Sequence, residues 1–215
     1  NLAIGLSLII LFGLGVPIAV SILLASIIGI EFFSQLPLLM VPQQMFVGID
    51  SFPLMAIPFF ILAGNLMAAG GISQRLVDLA KSIVGGLQGG LAMTCVLTCM
   101  MFAAVSGSSV ATTFAIGSIL IPAMRKKGYS KEFSAAICSS ASSLAIILPP
   151  SIPMILYAVM AQQSVVKMFV AGFGPGIVGA ICLAIAAYIQ ARRYNFPVEE
   201  RFSARNVWVK LKEAG

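Results

Sequence analysis

Long apolar segments, separated by short polar ones, run through most of the chain. The pattern places apolar segments at 2–30, 52–69, 85–124, 133–161 and 173–190. A helix that crosses a bilayer needs about 20 mostly apolar residues, and each of these segments approaches or exceeds that length. The pattern therefore predicts an all-α, polytopic integral membrane protein.

The first apolar segment is too long for one straight crossing. As a single helix it would measure about 43 Å at 1.5 Å per residue, against a bilayer core of about 30 Å. It is interrupted by Gly13, Gly15 and Pro17, so we expect it to be tilted or bent. Residues 36–49 are also apolar but contain two prolines, which leaves both a broken span and an interfacial segment open.

Residues 72–84 show a different pattern, with apolar and polar residues on opposite faces of a helix. The apolar face repeats at helical spacing through Ile72, Leu76, Leu79 and Ile83. The polar face contains Arg75, Asp78, Lys81 and Ser82. This pattern predicts an amphipathic arm helix in the membrane interface. The polar tail at 195–215 is predicted to be a further interfacial arm or linker.

The segment 85–124 is broken in its middle by the polar run Ser106–Ser109. The arms on either side, 91–105 and 110–124, have about 15 residues or about 22 Å of helix each, which is short of a full crossing. One long span, two spans and a re-entrant hairpin are all compatible with the length of the segment. A loop at membrane depth is tolerated only where it is buried in protein or lines a cavity.

Charge decides between these alternatives for 85–124. If the segment is a hairpin, Lys167 is the single basic residue on its side of the membrane. The other twelve basic residues then share the opposite face: Arg75, Lys81, Arg125, Lys126, Lys127, Lys131, Arg192, Arg193, Arg201, Arg205, Lys210 and Lys212. A single span would divide these clusters between two faces. Because basic residues concentrate on cytoplasmic loops, the pattern favours a re-entrant hairpin with the basic face in the cytoplasm.

Composition excludes several classes of protein. With 60% hydrophobic residues, 9% charged residues and a mean hydropathy of +1.04, the chain does not fit a soluble domain. The net charge of +6 does not indicate nucleic-acid binding, since the basic residues form short clusters between apolar segments. The acidic residues fall at loops or helix ends, and no phosphate-binding loop is present, so neither catalysis nor direct ATP use is expected.

The four cysteines lie inside apolar segments and form no CxxC motif: Cys95, Cys99, Cys138 and Cys182. The chain also lacks histidine. Cys95 and Cys99 share one helical face, which indicates packing. This pattern predicts neither a metal site nor a disulfide framework.

The first candidate site is the run Val105–Ser109, which offers three hydroxyl groups and a glycine. The first hairpin arm ends there with the negative end of its dipole. The second arm begins there with free N–H groups and the positive end of its dipole. Paired half-helix ends at mid-membrane suit a cation and an anion that bind close together.

The second candidate site is the run Leu148–Pro153 in the next apolar segment. Proline has no N–H, so its three prolines would leave the carbonyls four residues earlier without helical partners. Carbonyl and hydroxyl oxygens suit an alkali cation, so we predict one Na⁺ site between the two breaks. The predicted Na⁺ ligands are Ser106, Gly107, Ser108, Ser109, Ala145, Ile146 and Pro149. The predicted substrate contacts are Ser108, Ser109, Pro150 and Ser151.

Several motifs together resemble one known family. They are DSFPLMAIPFFILAGNLM (50–67), VSGSSVATTFAIGSILIPAM (105–124), GYS (128–130) and ILPPSIPMILYA (147–158). In this order, they are similar to the large membrane subunit of tripartite ATP-independent periplasmic (TRAP) transporters. The resemblance runs from about residue 2 to about residue 195, which makes it more specific than any single motif.

The resemblance implies an elevator transporter of the bacterial inner membrane that couples uptake of carboxylate-bearing substrates, such as C4-dicarboxylates or sialic acids, to a Na⁺ gradient. It also implies a small membrane subunit, a periplasmic substrate-binding protein and an inverted second repeat that this chain lacks. The implied regions are scaffold-type helices at 1–50, a span with the arm helix at 51–84, the transport region at 85–194 and the linker at 195–215. The runs at 105–109 and 147–150 match positions that line a sodium site in the family.

One local departure from the family is the run Ser142–Ala145, where the family often has a Gly-Thr-Leu-Gly-like sequence. Two alternative functions remain open. The first is a sodium-coupled elevator transporter of another family, which would not depend on a soluble binding protein. The second is a structural or channel subunit, which would show no coupling between Na⁺ and substrate.

Cysteine labelling tests the predicted hairpin. In a cysteine-free background, Lys81→Cys and Lys127→Cys should both react with an impermeant thiol reagent from the cytoplasm, because a hairpin returns to its own side. Lys167→Cys should react from the outside, because the segment at 133–161 crosses once. Labelling of positions 81 and 127 from opposite sides would rule out the hairpin.

Overall fold

A computed structural model describes residues 2–34, 36–194, 196, 207–208 and 210 of the chain. The described residues form helices joined by short turns, with no β-strand among them. They fall into two compact units, 1–52 and 53–215. Most of the predicted linker at 195–215 lies outside the described residues.

The first unit contains three helices: α1 (Leu2–Gly13), α2 (Ile18–Phe33) and α3 (Met40–Ile49). The expected single bent helix over 2–30 is instead two helices, because Gly15 adopts a left-handed conformation with φ +75° and Pro17 precedes α2. α1 and α2 pack on each other, and a Cβ at Gly29 would lie 2.6 Å from Ile4 Cγ1. The ten residues of α3 extend about 15 Å, which is too short to cross a bilayer.

A short 3-10 helix (Phe52–Met55) starts at the last residue of the first unit, and the second unit continues with α4 (Ala56–Ala69) and α5 (Ile72–Val84). The range Phe52–Ala69 is long and apolar enough to span a membrane, and α5 has the predicted bounds. The buried face of α5 differs in part from the predicted one. Leu79 is buried as predicted, but Ser73, Val77 and Ala80 are buried as well, and Ile83 is 40% exposed. α5 packs on α6. The helix is therefore confirmed, but a protein neighbour covers part of its surface.

The centre of the second unit is the helical hairpin formed by α6 (Gly90–Ser106) and α7 (Ser109–Lys126). The observed break falls at the predicted position, and α6 and α7 pack on each other. Eleven of the 17 residues of α6 are buried, so this helix occupies the core. Its sequence is apolar on all sides, which is typical of a helix enclosed by neighbours.

The rest of the second unit contains α8 (Lys131–Ser142), α9 (Leu144–Ile147), α10 (Ile152–Met160) and α11 (Val165–Arg193). The chain bends by 40° between Lys131–Ile147 and Ile152–Met160. By length and composition, two helices of the described residues can cross a membrane, or three if this bent pair is one span. Lys167 lies in the first turn of α11 and not in a loop, because Ser164 Oγ caps that helix by accepting the Lys167 N–H at 3.4 Å.

Glycines on one face of α11 allow it to approach the bend closely. A Cβ at Gly172 would lie 2.6 Å from the Ile147 carbonyl oxygen, and a Cβ at Gly176 would lie 2.5 Å from Leu148 Cδ2. Their spacing of four residues places both glycines on the same face of the helix. Small residues at such positions let membrane helices pack at short distance. α11 therefore supports the bent segment directly.

Replacement of Gly172 tests this support. Gly172→Ala should lower the free energy of unfolding by about 1–3 kcal/mol, the usual effect of overpacking, because the new methyl group meets a backbone oxygen. Gly174→Ala is the matched control, since a Cβ there has nothing within 4 Å. Thermal unfolding of the full-length protein in detergent measures both variants. Equal stability of the two would contradict the close packing of α11 on the bend.

Candidate ion-binding site at two helix breaks

Gly107 and Ser108 end one helix and begin the next. Gly107 has φ +58°, and its N–H donates to the Ala103 carbonyl at 3.1 Å, which ends α6. Ser108 is extended, and its Oγ accepts the Ala111 N–H at 3.3 Å, which caps α7. The Val105–Ser109 run therefore reverses the chain in two residues. We call this reversal, Ser106–Ser109, the hairpin tip.

Thr112 joins the two arms of the hairpin beneath the tip. Its hydroxyl donates to the Ser108 carbonyl at 2.8 Å and lies 2.9 Å from the Ser106 hydroxyl. Because a threonine has one hydroxyl proton, Ser106 is the donor in the second bond. Both side chains are buried. Sequence analysis missed Thr112, although its position four residues after Ser108 favours a bond to that carbonyl.

The second break lies between α9 and α10. Leu148 leaves the helical conformation, the Pro149–Pro150 bond is cis, and Ser151 is extended before α10 begins. Pro149 has no N–H for the carbonyl of Ala145 four residues earlier, as the sequence predicts. We call the residues Leu148–Ser151 the proline break.

Ser151 changes the predicted hydrogen bonding of the proline break. Its buried hydroxyl donates to the Ile146 carbonyl at 2.6 Å and accepts the Met154 N–H at 3.5 Å. Proline thus removes the helical partner of the Ile146 carbonyl, as predicted, and the Ser151 hydroxyl takes its place. The carbonyl of Pro149 is different, because it lies in the non-helical segment between α9 and α10.

The hairpin tip and the proline break are in direct contact. The Ile152 N–H donates to the Gly107 carbonyl at 3.1 Å, across 45 residues of sequence. A Cβ at Gly107 would lie 2.7 Å from the Pro150 carbonyl oxygen, so a glycine is needed here for both its left-handed conformation and this approach. α4 also packs on the tip, where a Cβ at Gly64 would lie 3.5 Å from Ser106 Cα.

Four helix ends meet at this contact: the ends of α6 and α9 and the beginnings of α7 and α10. No residue of 105–109 or 144–153 is charged. The local electrostatics therefore come from helix ends, which carry partial negative charge at the carbonyl end and partial positive charge at the N–H end. Such a place can hold a cation and an anion without formally charged side chains nearby.

The backbone donors at the two helix beginnings differ in availability. At α10, the Ile152 N–H binds Gly107, Pro153 has no N–H, and the Met154 N–H binds Ser151. At α7, helix geometry leaves the N–H groups of Ser109 and Val110 without helical acceptors. The beginning of α7 is therefore better suited than that of α10 to contact an anion.

The acceptors at the two breaks also differ in availability. The Ser108 carbonyl already accepts the Thr112 N–H at 3.0 Å and the Thr112 hydroxyl at 2.8 Å. The Ser109 carbonyl accepts the Thr113 hydroxyl at 2.8 Å. The carbonyls of Ser106 and Gly107 lie at the end of α6, where helix geometry leaves the last acceptors without intrahelical donors, and that of Gly107 accepts the Ile152 N–H instead.

Comparison with known proteins identifies the family of the chain. Residues 6–215 match the family described as tripartite ATP-independent periplasmic transporter, DctM component. The C4-dicarboxylate TRAP transporter large permease protein DctM of Rhodobacter capsulatus is 39% identical over 230 residues, which cover 97% of this chain and 52% of the relative. The protein of the same name from Vibrio cholerae is 43% identical over 217 residues, which cover 99% of this chain and 48% of the relative.

A third relative is a longer protein. The isethionate TRAP transporter permease protein DctMQ of Oleidesulfovibrio alaskensis is 46% identical over 187 residues, which cover 87% of this chain and 29% of the relative. The chain thus spans about half the length of the DctM relatives. The fold and the comparisons define an all-α protein of the membrane-transporter class. The chain belongs to the DctM component family of tripartite ATP-independent periplasmic transporters.

Replacement of Gly107 tests the contact between the breaks. Gly107→Ala adds the strain of a left-handed alanine, about 1–2 kcal/mol, and a clash with the Pro150 carbonyl. Gly128→Ala is the matched control, because Gly128 has φ +87° but open space around its Cβ position. We expect Gly107→Ala to lose about 1–3 kcal/mol more stability than the control, as overpacked sites do.

Thermal unfolding of the full-length protein in detergent measures the two variants under the same conditions. A Gly107→Ala protein as stable as Gly128→Ala would show that the tip and the proline break do not approach each other as described.

Proposed function

We propose that this chain is part of a transporter of the bacterial inner membrane that couples uptake of small carboxylate-bearing anions to a Na⁺ gradient. C4-dicarboxylates and sialic acids are examples of such substrates. The observation that carries the proposal is the hydrogen bond between Ile152 and Gly107, which brings four uncharged helix ends to one place. The names of relatives, which include C4-dicarboxylate and isethionate transporters, support small organic anions as the substrate class.

Sodium is proposed to bind at the carbonyl ends of α6 and α9. Na⁺ is a hard cation, and backbone carbonyls can replace its water ligands. The hydrogen bonds reduce the predicted ligand set, since the Ser108 carbonyl accepts two hydrogen bonds and the carbonyls of Gly107 and Ile146 accept one each. The ligands that fit best are therefore the carbonyls of Ser106 and Ala145, with that of Pro149. Ser106 and Ser108 hydroxyls then shape the tip through their bonds within the hairpin.

The substrate anion is proposed to bind beside the ion at the beginning of α7. The N–H groups of Ser109 and Val110 are the donors there, and the helix dipole favours a negative charge. Ser109 thus keeps its predicted role. Pro150 and Ser151 are less suited to direct contact, because Ser151 is fully buried and its hydroxyl donates to Ile146. A cation bound next to the anion would couple their binding energies.

The proposed mechanism moves the transport region, residues 85–194, as a body. The helical hairpin would be re-entrant, and its arms, of 17 and 18 residues, would carry the site across part of the membrane in an elevator movement. The rest of the substrate cavity would come from a second, inverted half of the large subunit. A small membrane subunit and a periplasmic substrate-binding protein would complete the transporter.

Uptake measurements test the whole proposal. The complete transporter, reconstituted in proteoliposomes with an imposed Na⁺ gradient, should take up a C4-dicarboxylate or a sialic acid when the periplasmic binding protein is present. Uptake should fall to background without the Na⁺ gradient or without the binding protein. Uptake that is independent of Na⁺ would overturn the coupling. Uptake that needs only Na⁺ would overturn the role of the binding protein.

Thr112→Val tests the site itself. It removes the hydroxyl that accepts from Ser106 and holds the Ser108 carbonyl, and an orphaned buried partner costs about 1–3 kcal/mol. We expect the Na⁺ concentration for half-maximal uptake to rise about tenfold, which corresponds to about 1.4 kcal/mol.

Thr113→Val is the matched control, because the Thr113 hydroxyl donates to the Ser109 carbonyl within α7 and does not join the two arms. Its Na⁺ dependence should match that of the unmodified protein. Thermal unfolding of both variants shows whether each is folded. Equal Na⁺ dependence of two folded variants would remove Thr112, and the tip it supports, from the ion site.

A further inference from the structure

Three cysteine thiols from two helices meet in the core of the second unit. Cys95 and Cys99 lie one turn apart on α6, and Cys138 lies on α8. The three Sγ atoms are all within 4.8 Å of one another, and all three side chains have 0% exposure. Sequence analysis assigned the α6 pair to packing, because nothing in the sequence indicates that Cys138 lies beside it.

We propose that this three-thiol cluster binds one Cu(I) ion through its three sulfur atoms. Sulfur is a soft ligand that favours Cu(I) over the hard cations bound by oxygen. A trigonal metal site has three ligands, which is the number of sulfur atoms that lie together here. The surrounding core is apolar and includes Phe102 and Leu144, so water does not compete as a ligand.

Binding of the ion changes the protonation of the cluster. Cysteine binds metal ions as the thiolate, so each thiol that binds the ion releases its proton to solvent as the ion enters.

Ligand number disfavours zinc. Structural Zn²⁺ sites in proteins are four-coordinate, with Cys, His or carboxylate ligands. A polar group beside the cluster is the Ser142 hydroxyl, which lies 3.8 Å from Cys99 Sγ and donates to the Cys138 carbonyl at 2.7 Å. A neutral hydroxyl held in this way does not replace a fourth zinc ligand. The cluster therefore suits a three-coordinate soft ion.

An ion in the three-thiol cluster would join α6 to α8. Cys99 lies two turns before the hairpin tip, and α8 leads through α9 to the proline break. The ion would therefore stabilise the two helices that position both breaks. This proposal does not depend on Na⁺ coupling, since it concerns different residues and a different class of ion.

Cu(I) binding to the full-length protein in detergent tests the proposal. The ion is supplied without oxygen as its bicinchoninate complex, and the loss of that complex is measured by its colour. Cys138→Ser should lower the amount of bound Cu(I) by roughly one equivalent per chain, or weaken binding more than about tenfold. Loss of a residue that only supports a metal ligand already weakens metal sites by about 10–100-fold. Cys182→Ser is the matched control, because Cys182 is a single exposed cysteine. It should retain the full capacity.

A second measurement does not rely on substituted proteins. The X-ray absorption spectrum of the Cu(I)-loaded, unmodified protein should contain a contribution from copper with three sulfur neighbours. Loading of that site should also be slow, because the three thiols are enclosed. Binding that is unchanged in Cys138→Ser, or lost in Cys182→Ser, would overturn the proposal. A spectrum without a three-sulfur contribution would overturn it as well.

Discussion

The hydrogen bond from Ile152 to Gly107 is the interaction on which the arrangement of the second unit depends. Each break interrupts a helix and leaves backbone groups without helical partners, which a bilayer core does not tolerate in contact with lipid. The two breaks provide hydrogen-bond partners for each other, because the Ile152 N–H after one break donates to the Gly107 carbonyl at the other, at 3.1 Å. Ser108 and Ser151 cap the helices that follow. The carbonyls that remain are concentrated at one place, which is why we propose an ion site there.

The helices around this contact are held by close packing of small side chains. Lipid tails are as apolar as protein side chains, so burial of apolar surface adds little to association within a membrane, and close contact matters more. Alanine, cysteine, serine and threonine occupy much of the buried face of α6, and Gly172 and Gly176 bring α11 against the bend. The breaks are therefore supported on several sides by rigid helices. Such support is what a site made of backbone carbonyls needs, because a backbone ligand cannot move independently of its helix.

Local signals in the sequence predicted much of this structure. Contacts between residues that are far apart in the sequence were not predicted. Proline and glycine act within a few residues, so the breaks near Gly107 and Pro149 and the bounds of α5 could be predicted. The reversal between α1 and α2 was missed, because a Gly-Pro interruption is compatible with either a bend or a turn. The bond from Ser151 to Ile146, the burial of Ser73 and the approach of Cys138 to α6 depend on how segments pack. Periodicity and composition carry little information about such contacts.

The two proposed ion sites lie on the same helix and differ in the hardness of their ligands. Oxygen ligands at the end of α6 would hold Na⁺ through uncharged carbonyls, and such binding is weak enough to reverse in each transport cycle. Sulfur ligands about 10 Å earlier, two turns along α6, would hold a soft ion in an enclosed apolar site. A site without solvent access exchanges its ion slowly. The first arrangement is therefore suited to coupling a gradient to transport, and the second to stabilising the helices that position the first.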